Sequence, residues 1–291
     1  MKLKKFLRFR LWMILLLMTL FAVALAIFVP LRERYQREHD SLAAIRSRAK
    51  HVVTMPGKPR WLEPIVGKEV YSNVVHLSMQ GAARHVGRGF GDIDMRHLAN
   101  FPELRRLSLQ STDVTAAGLV HLSGLQKLNA LSLEMAPIAR DGLRHLKDLT
   151  NLRHLNLSYS PTANQLHYLK KLEKLEELEC GSVADVDMET IASFPKLRIL
   201  KMLSYGPSCQ AVEKLNGHPS LEELHLAVEH VDSHLSDCPN LKFLYVSCYG
   251  DSENRELVLT NLPKLEELVR SRNRSYPVRL NNVPLLKVKE P

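Results

Sequence analysis

The segment LRRLSLQSTDVTAAGLVHLSGLQK, residues 104–127, is followed at once by LNALSLEMAPIARDGLRHLKDLTN, residues 128–151, with leucine at the same positions. The shared leucines are Leu104, Leu107, Leu109, Leu119, Leu122 and Leu125 in the first copy, and Leu128, Leu131, Leu133, Leu143, Leu146 and Leu149 in the second. In L-x-L, alternate residues of a short strand point to one side. The later L-x-x-L-x-x-L spacing gives one apolar stripe on a helix. Each unit therefore has two apolar faces that only a neighbouring unit can cover.

The same unit recurs along most of the chain. It starts at Val74, Leu104, Leu128, Leu152, Leu175, Leu197, Leu221, Leu241 and Leu265, with a fragment around Leu286. After the long first unit, the spacings fall within the range of leucine-rich repeats, about 20–29 residues. Stacking such units buries a continuous core, which predicts a solenoid.

The repeats resemble those of the leucine-rich repeat family, and more closely a group of bacterial membrane-anchored members. Their pattern L-x-x-L-x-L-x-x-T-x-V-x-x-x-G-L-x-x-L-x-x-L is matched through Thr112, Val114 and Gly118, and again through Ile138 and Gly142. The resemblance implies an α/β solenoid with a curved parallel sheet on the concave side and helices or turns on the convex side. It also implies binding or scaffolding as the function.

An apolar segment precedes the repeats. Residues 11–29 contain no charged side chain, and as a helix they span about 28 Å, close to the hydrocarbon thickness of a bilayer. The run ends at Pro30 and Arg32, which favours an uncleaved single-pass anchor. The alternative is a signal peptide cleaved after Ala24-Leu25-Ala26, which would give a secreted protein.

The charge of the chain is concentrated around this segment. Residues 1–10 carry five basic and no acidic groups, and residues 30–60 carry eight basic and three acidic groups. The rest is nearly neutral, with 27 basic and 28 acidic groups. A nucleic-acid binder needs its positive charge on the recognition surface, so we expect membrane headgroups and not nucleic acid as the partner of these charges. The dense amino-terminal charge predicts a cytoplasmic location for that end and an outside location for the repeats, while six basic residues that follow the span favour the opposite orientation.

The sequence divides into five parts. Residues 1–10 form a basic tail and residues 11–29 the transmembrane anchor. Residues 30–60 read as a charged juxtamembrane helix and linker, a stalk broken by Pro56, Gly57 and Pro59. Residues 61–73 supply apolar side chains for an amino-terminal cap, and residues 74–291 form the leucine-rich repeat domain of about nine repeats.

Motifs for catalysis, cofactors and metals give weak matches. GRGFG at 87–91 lacks the Lys-Ser/Thr and the spacing of a phosphate-binding loop. His97, His121 and His145 occupy one repeat position, and His230 and His234 lack an H-E-x-x-H context. Cys180 and Cys238 replace core leucines, and the four cysteines show neither zinc spacing nor a disulfide framework. We therefore expect no enzyme, no cofactor and no metal site.

Binding is expected on the outward side of the strands. The first coils present small polar residues there: His76, Ser78, Gln80, Arg106, Ser108, Gln110, Ala130, Ser132, Glu134, His154, Asn156 and Ser158. The later coils present the expected partner-binding residues Glu177, Glu179, Ile199, Lys201, Leu203, Glu223, His225, Phe243 and Tyr245. Aromatic groups among acidic ones suit a protein or peptide ligand. The alternative is that these apolar side chains pack locally in an irregular half of the solenoid.

Two functions fit this sequence. The first is a membrane-anchored, non-catalytic interaction module or scaffold that binds a protein through its concave face. The second is the substrate-recognition subunit of an enzyme complex, such as a ubiquitin-ligase-type receptor. A receptor of that type needs an adaptor-binding helical domain before the repeats, and residues 31–73 are too few and too charged to form one.

Overall fold

A long helix begins the chain. The structure, a computed structural model, describes residues 2–57, 63–66, 72–79, 89–139, 141–230, 232–249, 256–271 and 276–289. Helix α1, Lys2–Ile45, joins the apolar segment and the charged segment into one element with Pro30 inside it. It is long and apolar enough to cross a membrane, and none of its most apolar window is buried. The end of the apolar run at Pro30 is therefore not the end of the helix.

Short strands and turns alternate after α1. The strands are β1 Ala49–Pro56, β2 Ser72–Met79, β3 Arg106–Ser108, β4 Ala130–Ser132, β5 His154–Leu157, β6 Glu177–Ser182, β7 Ile199–Tyr205, β8 Glu223–Val228, β9 Ser233–Ser236, β10 Phe243–Cys248, β11 Leu257–Thr260, β12 Glu267–Arg270, β13 Val278–Asn281 and β14 Lys287–Lys289. Among the described residues, eleven of them form one sheet in the order β1-β2-β3-β4-β5-β6-β7-β8-β10-β12-β14. Every pair from β2 onward is parallel. This confirms the expected leucine-rich repeat solenoid.

Short helices and 3-10 turns connect the strands, and those that follow β2 lie on the opposite, convex side. The short helices are α2 Glu63–Val66, α3 Asp92–Met95, α4 Ala116–Leu119, α5 Asp187–Ala192 and α6 Cys209–Val212. The 3-10 turns are Arg46–Arg48, Arg96–Asn100, Val120–Leu122, Gly142–Leu146, Leu166–Leu169 and Glu213–Leu215. These helices are short because each coil has room for only one or two helical turns before the next strand begins.

The last coils differ from the expected convex helices. There β9, β11 and β13 form a second, three-stranded parallel sheet. Their sequences SHLS, LVLT and VRLN alternate or contain β-branched residues, which favours extended backbone. Leu235, Leu257 and Leu259 face the core from it, each at most 1% exposed.

The core follows the predicted repeat positions. Leu107, Leu131 and Leu155 occupy equivalent positions in adjacent strands and are at most 2% exposed. Glycine recurs at one repeat position because side chains of neighbouring residues approach its Cα too closely for a Cβ atom to fit. A Cβ at Gly118 would lie 2.4 Å from Oδ1 of Asp92, and one at Gly142 would lie 2.6 Å from Cγ2 of Ile138.

Residues 31–56 cover the open end of the first coil. Tyr35, Glu38 and Ile45 of α1 are at most 2% exposed, and β1 pairs antiparallel with β2. This segment is packed onto the solenoid, whereas the sequence suggested a stalk and a linker. Residues 31–56 thus act as a cap; of 61–73, only 63–66 and 72–73 lie in the described part of the chain, and the capping role expected of that segment stays a prediction.

Candidate binding surface on the concave sheet

The outward side chains of the later strands lie in two rows across the sheet. Strand register places Glu177, Ile199, Glu223 and Phe243 in the first row, and Glu179, Lys201, His225 and Tyr245 in the second. All eight are partly exposed, and the residues between them in each strand are buried. Leu203 lies further along β7 and is 37% exposed. We call these nine residues the acidic–aromatic patch; their role in binding stays a prediction.

A lysine lies at the centre of the patch among three glutamates. Nζ of Lys201 is 3.0 Å from Oε1 of Glu179, 3.9 Å from Oε1 of Glu223 and 4.0 Å from Oε1 of Glu177. Partial burial opposes the charge of Lys201, but the hydrogen bond with Glu179 and the nearby carboxylates outweigh it and raise its pKa. The lysine therefore stays charged and compensates only part of the negative charge.

Aromatic rings form the other half of the patch. The imidazole of His225 lies with its centroid 5.2 Å from that of Phe243 and 5.5 Å from that of Tyr245. Its Nε2 atom is 2.7 Å from Oε1 of Glu223, which orients the ring. The result is a row of rings bordering carboxylates, able to contact apolar and cationic groups of one ligand.

Three tyrosines extend this surface at the carboxyl ends of the strands, and sequence reasoning missed them. Tyr159, Tyr205 and Tyr249 are 61%, 68% and 42% exposed, and the rings of Tyr205 and Tyr249 meet edge to face at 5.9 Å. The sequence signal was irregular, because Tyr205 and Tyr249 follow the equivalent inward residues Met202 and Val246 by three positions, whereas Tyr159 follows Leu157 by two. We call these three residues the tyrosine lip.

The amino-terminal part of the concave face is polar and shallow. Ser108, Ser132 and Asn156 continue the second row beside a depression of about 340 Å³. Ser158 was expected to face outward and exposed, but it is 2% exposed; its hydroxyl lies 3.5 Å from Oε2 of Glu179. Gln80 lies outside the described residues.

The candidate chemical groups are scattered or internally bonded. His97, His121 and His145 lie on equivalent convex turns. His230 lies 3.6 Å from Glu229, whereas His234 lies 3.0 Å from Thr260. Within the described ranges, no group of three or more His, Cys, Asp or Glu side chains is placed to hold a metal ion.

The cysteines and the glycine-rich segment lie mostly in the core. All four cysteines are free thiols, and burial raises the pKa of Cys180 and of Cys238. Of GRGFG, residues 87–88 lie outside the described part, Phe90 is fully buried, and Gly91 is the N-cap residue that precedes the four-residue helix α3.

Solved structures provide partial comparisons. An internalin C2 from Listeria monocytogenes is 27% identical over 38% of this chain and 48% of its own, with a TM-score of 0.32. An internalin, inlF, from the same organism is 16% identical over 72% and 59%, with a TM-score of 0.46. The LRR ectodomain of the receptor kinase SOBIR1 from Arabidopsis thaliana is 17% identical over 59% and 97%, with a TM-score of 0.39. The match thus spans 48% and 59% of the two internalin chains.

These comparisons leave the partner open. No protein-family model matches the sequence, and no curated protein sequence matches it. The fold assignment rests on the coils themselves: the chain forms a leucine-rich repeat solenoid after an apolar helix.

Proposed function

We propose that this chain is a membrane-anchored, non-catalytic interaction module that binds a protein or peptide through the acidic–aromatic patch. The observation that carries the proposal is the juxtaposition of the Lys201 carboxylate cluster with the His225, Phe243 and Tyr245 rings. Aromatic groups left partly exposed beside carboxylates are typical of contact surfaces and unusual on a solvated sheet.

The chemistry of the patch suggests the chemistry of its ligand. Three glutamates outnumber the single lysine of the patch, so its net charge is negative. A ligand segment carrying Lys or Arg beside an apolar side chain therefore complements both halves of the patch. The tyrosine lip provides further apolar contact for the same segment.

The apolar helix supports membrane attachment. Trp12, Phe21 and Ile27 are 61%, 66% and 54% exposed, and burying such a stretch in hydrocarbon is the most favourable way to remove it from water. The basic amino terminus supports a cytoplasmic location for that end and an extracytoplasmic location for the repeats. Secretion after cleavage of this segment is the alternative.

Affinity capture from detergent-solubilised membranes tests the proposal. The patch variant Phe243→Ala with Tyr245→Ala is compared with the control variant Ser108→Ala with Ser132→Ala. A protein captured by wild type and control but not by the patch variant supports concave-face binding. A protein captured equally by all three contradicts it.

A further inference from the structure

Helix α1 crosses the open end of the first coil in a defined direction. Near its membrane end, Nη2 of Arg34 lies 3.4 Å from Oδ1 of Asn73, at the start of β2, and 3.2 Å from Oε1 of Glu103. Just beyond the other end, in the turn Arg46–Arg48, Nη1 of Arg48 lies 2.7 Å from Oδ1 of Asp94, on the far side of the same coil. The helix thus enters at the edge of the solenoid where the parallel strands begin, and the strands run in the same general direction as the helix.

The helix also sets the distance between that edge and the hydrocarbon core of the bilayer. Arg34 lies five residues beyond Val29, or about 7.5 Å along the helix axis. The headgroup layer on each side of the hydrocarbon is about 5–8 Å thick. If residues 11–29 span the bilayer, then Arg34 and its contacts Asn73 and Glu103 lie at headgroup level.

Among the described residues, the two edges of the solenoid carry opposite net charge. The strand-start edge comprises the turns 101–105, 123–129, 147–153, 170–176, 193–198, 216–222, 237–242 and 261–266. It contains eleven Lys or Arg and seven Asp or Glu. The described residues of the opposite turns (109–115, 133–139, 141, 158–165, 183–186, 206–208, 229–230 and 232) contain six Asp or Glu and no Lys or Arg.

Most acidic groups on the strand-start edge are already paired. Glu222 binds Arg198 and Lys242 at 2.7 and 3.0 Å, and these two hydrogen bonds lower its pKa to about 2. Glu176 binds Arg153, and Glu103 binds Lys127 and Arg34.

Several exposed lysines of the strand-start edge lie outside these ion pairs. Lys170, Lys196 and Lys264 are exposed and form no ion pair with a carboxylate of the described residues. Lys264 donates to Oδ1 of Asn240 at 2.7 Å, and Lys174 donates to Oδ1 of Asn151 at 2.6 Å. These contacts leave their charge uncompensated and available to a phosphate group.

We propose that the strand-start edge lies on the anionic phospholipid headgroups of the membrane that holds α1. The inference rests on the proposed anchoring and adds an orientation to it. The long axis of the solenoid then runs along the membrane surface with the strands directed away from it. The acidic–aromatic patch opens sideways into water, and the tyrosine lip is held at the edge away from the bilayer.

Lysine footprinting of the full-length chain in lipid nanodiscs tests this orientation. Discs of phosphatidylcholine alone are compared with discs that also contain phosphatidylglycerol, and acetylation of each lysine is followed by mass spectrometry. We expect Lys170, Lys171, Lys174 and Lys196 to react several-fold more slowly in the anionic discs, and high salt to reverse this. Lys50, exposed at the opposite edge on β1, is the internal reference and should react equally in both.

Charge variants provide the second arm. Lys170→Glu with Lys171→Glu and Lys174→Glu should abolish the protection of Lys196, whereas Arg at the same three positions should preserve it. Equal reactivity of Lys196 in the two kinds of disc overturns the inference. It is also overturned if Lys50 is slowed in the anionic discs as much as the strand-start lysines are.

Carbonate washing separates this inference from the proposed anchoring. A chain released from washed membranes contradicts the anchoring and overturns the inference with it. A chain that is retained, but whose footprint is independent of lipid charge, overturns this inference alone.

Discussion

Nζ of Lys201 on β7 lies 3.0 Å from Oε1 of Glu179 on the adjacent strand β6. Two further carboxylates, those of Glu177 and Glu223, lie within 4.0 Å of the same nitrogen. One positive group therefore holds together a cluster whose remaining charge is negative. This pairing makes the electrostatics of the concave face testable by a single substitution.

Lys201→Gln should strengthen the capture of a basic ligand, because it removes the positive group from the patch. The loss of compensation between neighbouring glutamates should lower stability by about 1 kcal/mol or less. Binding at two salt concentrations and a melting curve measure the two effects. Lys214→Gln, which breaks an exposed pair with Glu189 on the convex side, serves as the control and should leave capture unchanged. Weaker capture by Lys201→Gln would show that the ligand is acidic.

Leu131→Asp should destabilise the solenoid by about 4 kcal/mol or more, since it replaces a leucine that is 2% exposed with an unpaired buried carboxylate. Ser132→Asp, one residue further along β4 and facing outward, is the matched control and should change stability by less than about 1 kcal/mol. Urea unfolding monitored by circular dichroism measures both. Similar curves for the two variants would show that the strand register is wrong.

Glu38→Gln should change how the stability of the cap depends on pH. Burial raises the pKa of Glu38 from 4.5 to about 7. Its Oε1 accepts a hydrogen bond from the Val74 amide, and its Oε2 has no hydrogen-bond partner among the described residues. Between about pH 4.5 and 7 the folded state binds more protons than the unfolded state, so stability falls as pH rises through this window and levels off above it.

The uncharged amide side chain introduced by Glu38→Gln keeps an acceptor for Val74 and removes that fall, so the variant should melt higher than wild type at pH 8. Melting temperatures between pH 5 and 8 measure the difference. Glu33→Gln, on the exposed side of the same helix, should retain the wild-type profile. A variant that melts lower than wild type at pH 8 would mean that the ionised Glu38 stabilises the cap.

A chain that begins at Leu31 should be soluble and monomeric, whereas one that begins at His51 should aggregate. The shorter chain lacks Tyr35 and Ile45, whose burial covers the first coil, and therefore leaves a solenoid end exposed. Size-exclusion chromatography compares the two chains. A monomeric, stable chain from His51 would show that residues 31–50 are a stalk after all.

The repeat core was predictable because each leucine position is local and periodic. Leu131, Leu155 and Leu200 fall at inward strand positions in every reading of the pattern, and the structure buries them. The convex strands β9, β11 and β13 were not predictable in this way. A stretch as short as SHLS fits a strand or a turn, and the neighbouring coil decides between them.

The cap and the tyrosine lip depend on contacts between distant parts of the chain. A charged helix such as 31–45 reads as solvated, because the sequence does not display the coil that covers Tyr35 and Glu38. Tyr205 and Tyr249 meet across an intervening coil, a proximity set by the stacking and not by sequence spacing. The rows of the patch were predictable, because residues at the same position of successive repeats become neighbours on adjacent parallel strands.

Capture by the Phe243→Ala, Tyr245→Ala variant tests concave-face binding most directly. Both side chains point outward beside His225, so their loss should abolish capture of a ligand retained by wild type. Each substitution should lower stability by no more than about 1 kcal/mol. We expect lost capture with a nearly unchanged melting temperature; full capture by a folded double variant would contradict concave-face binding.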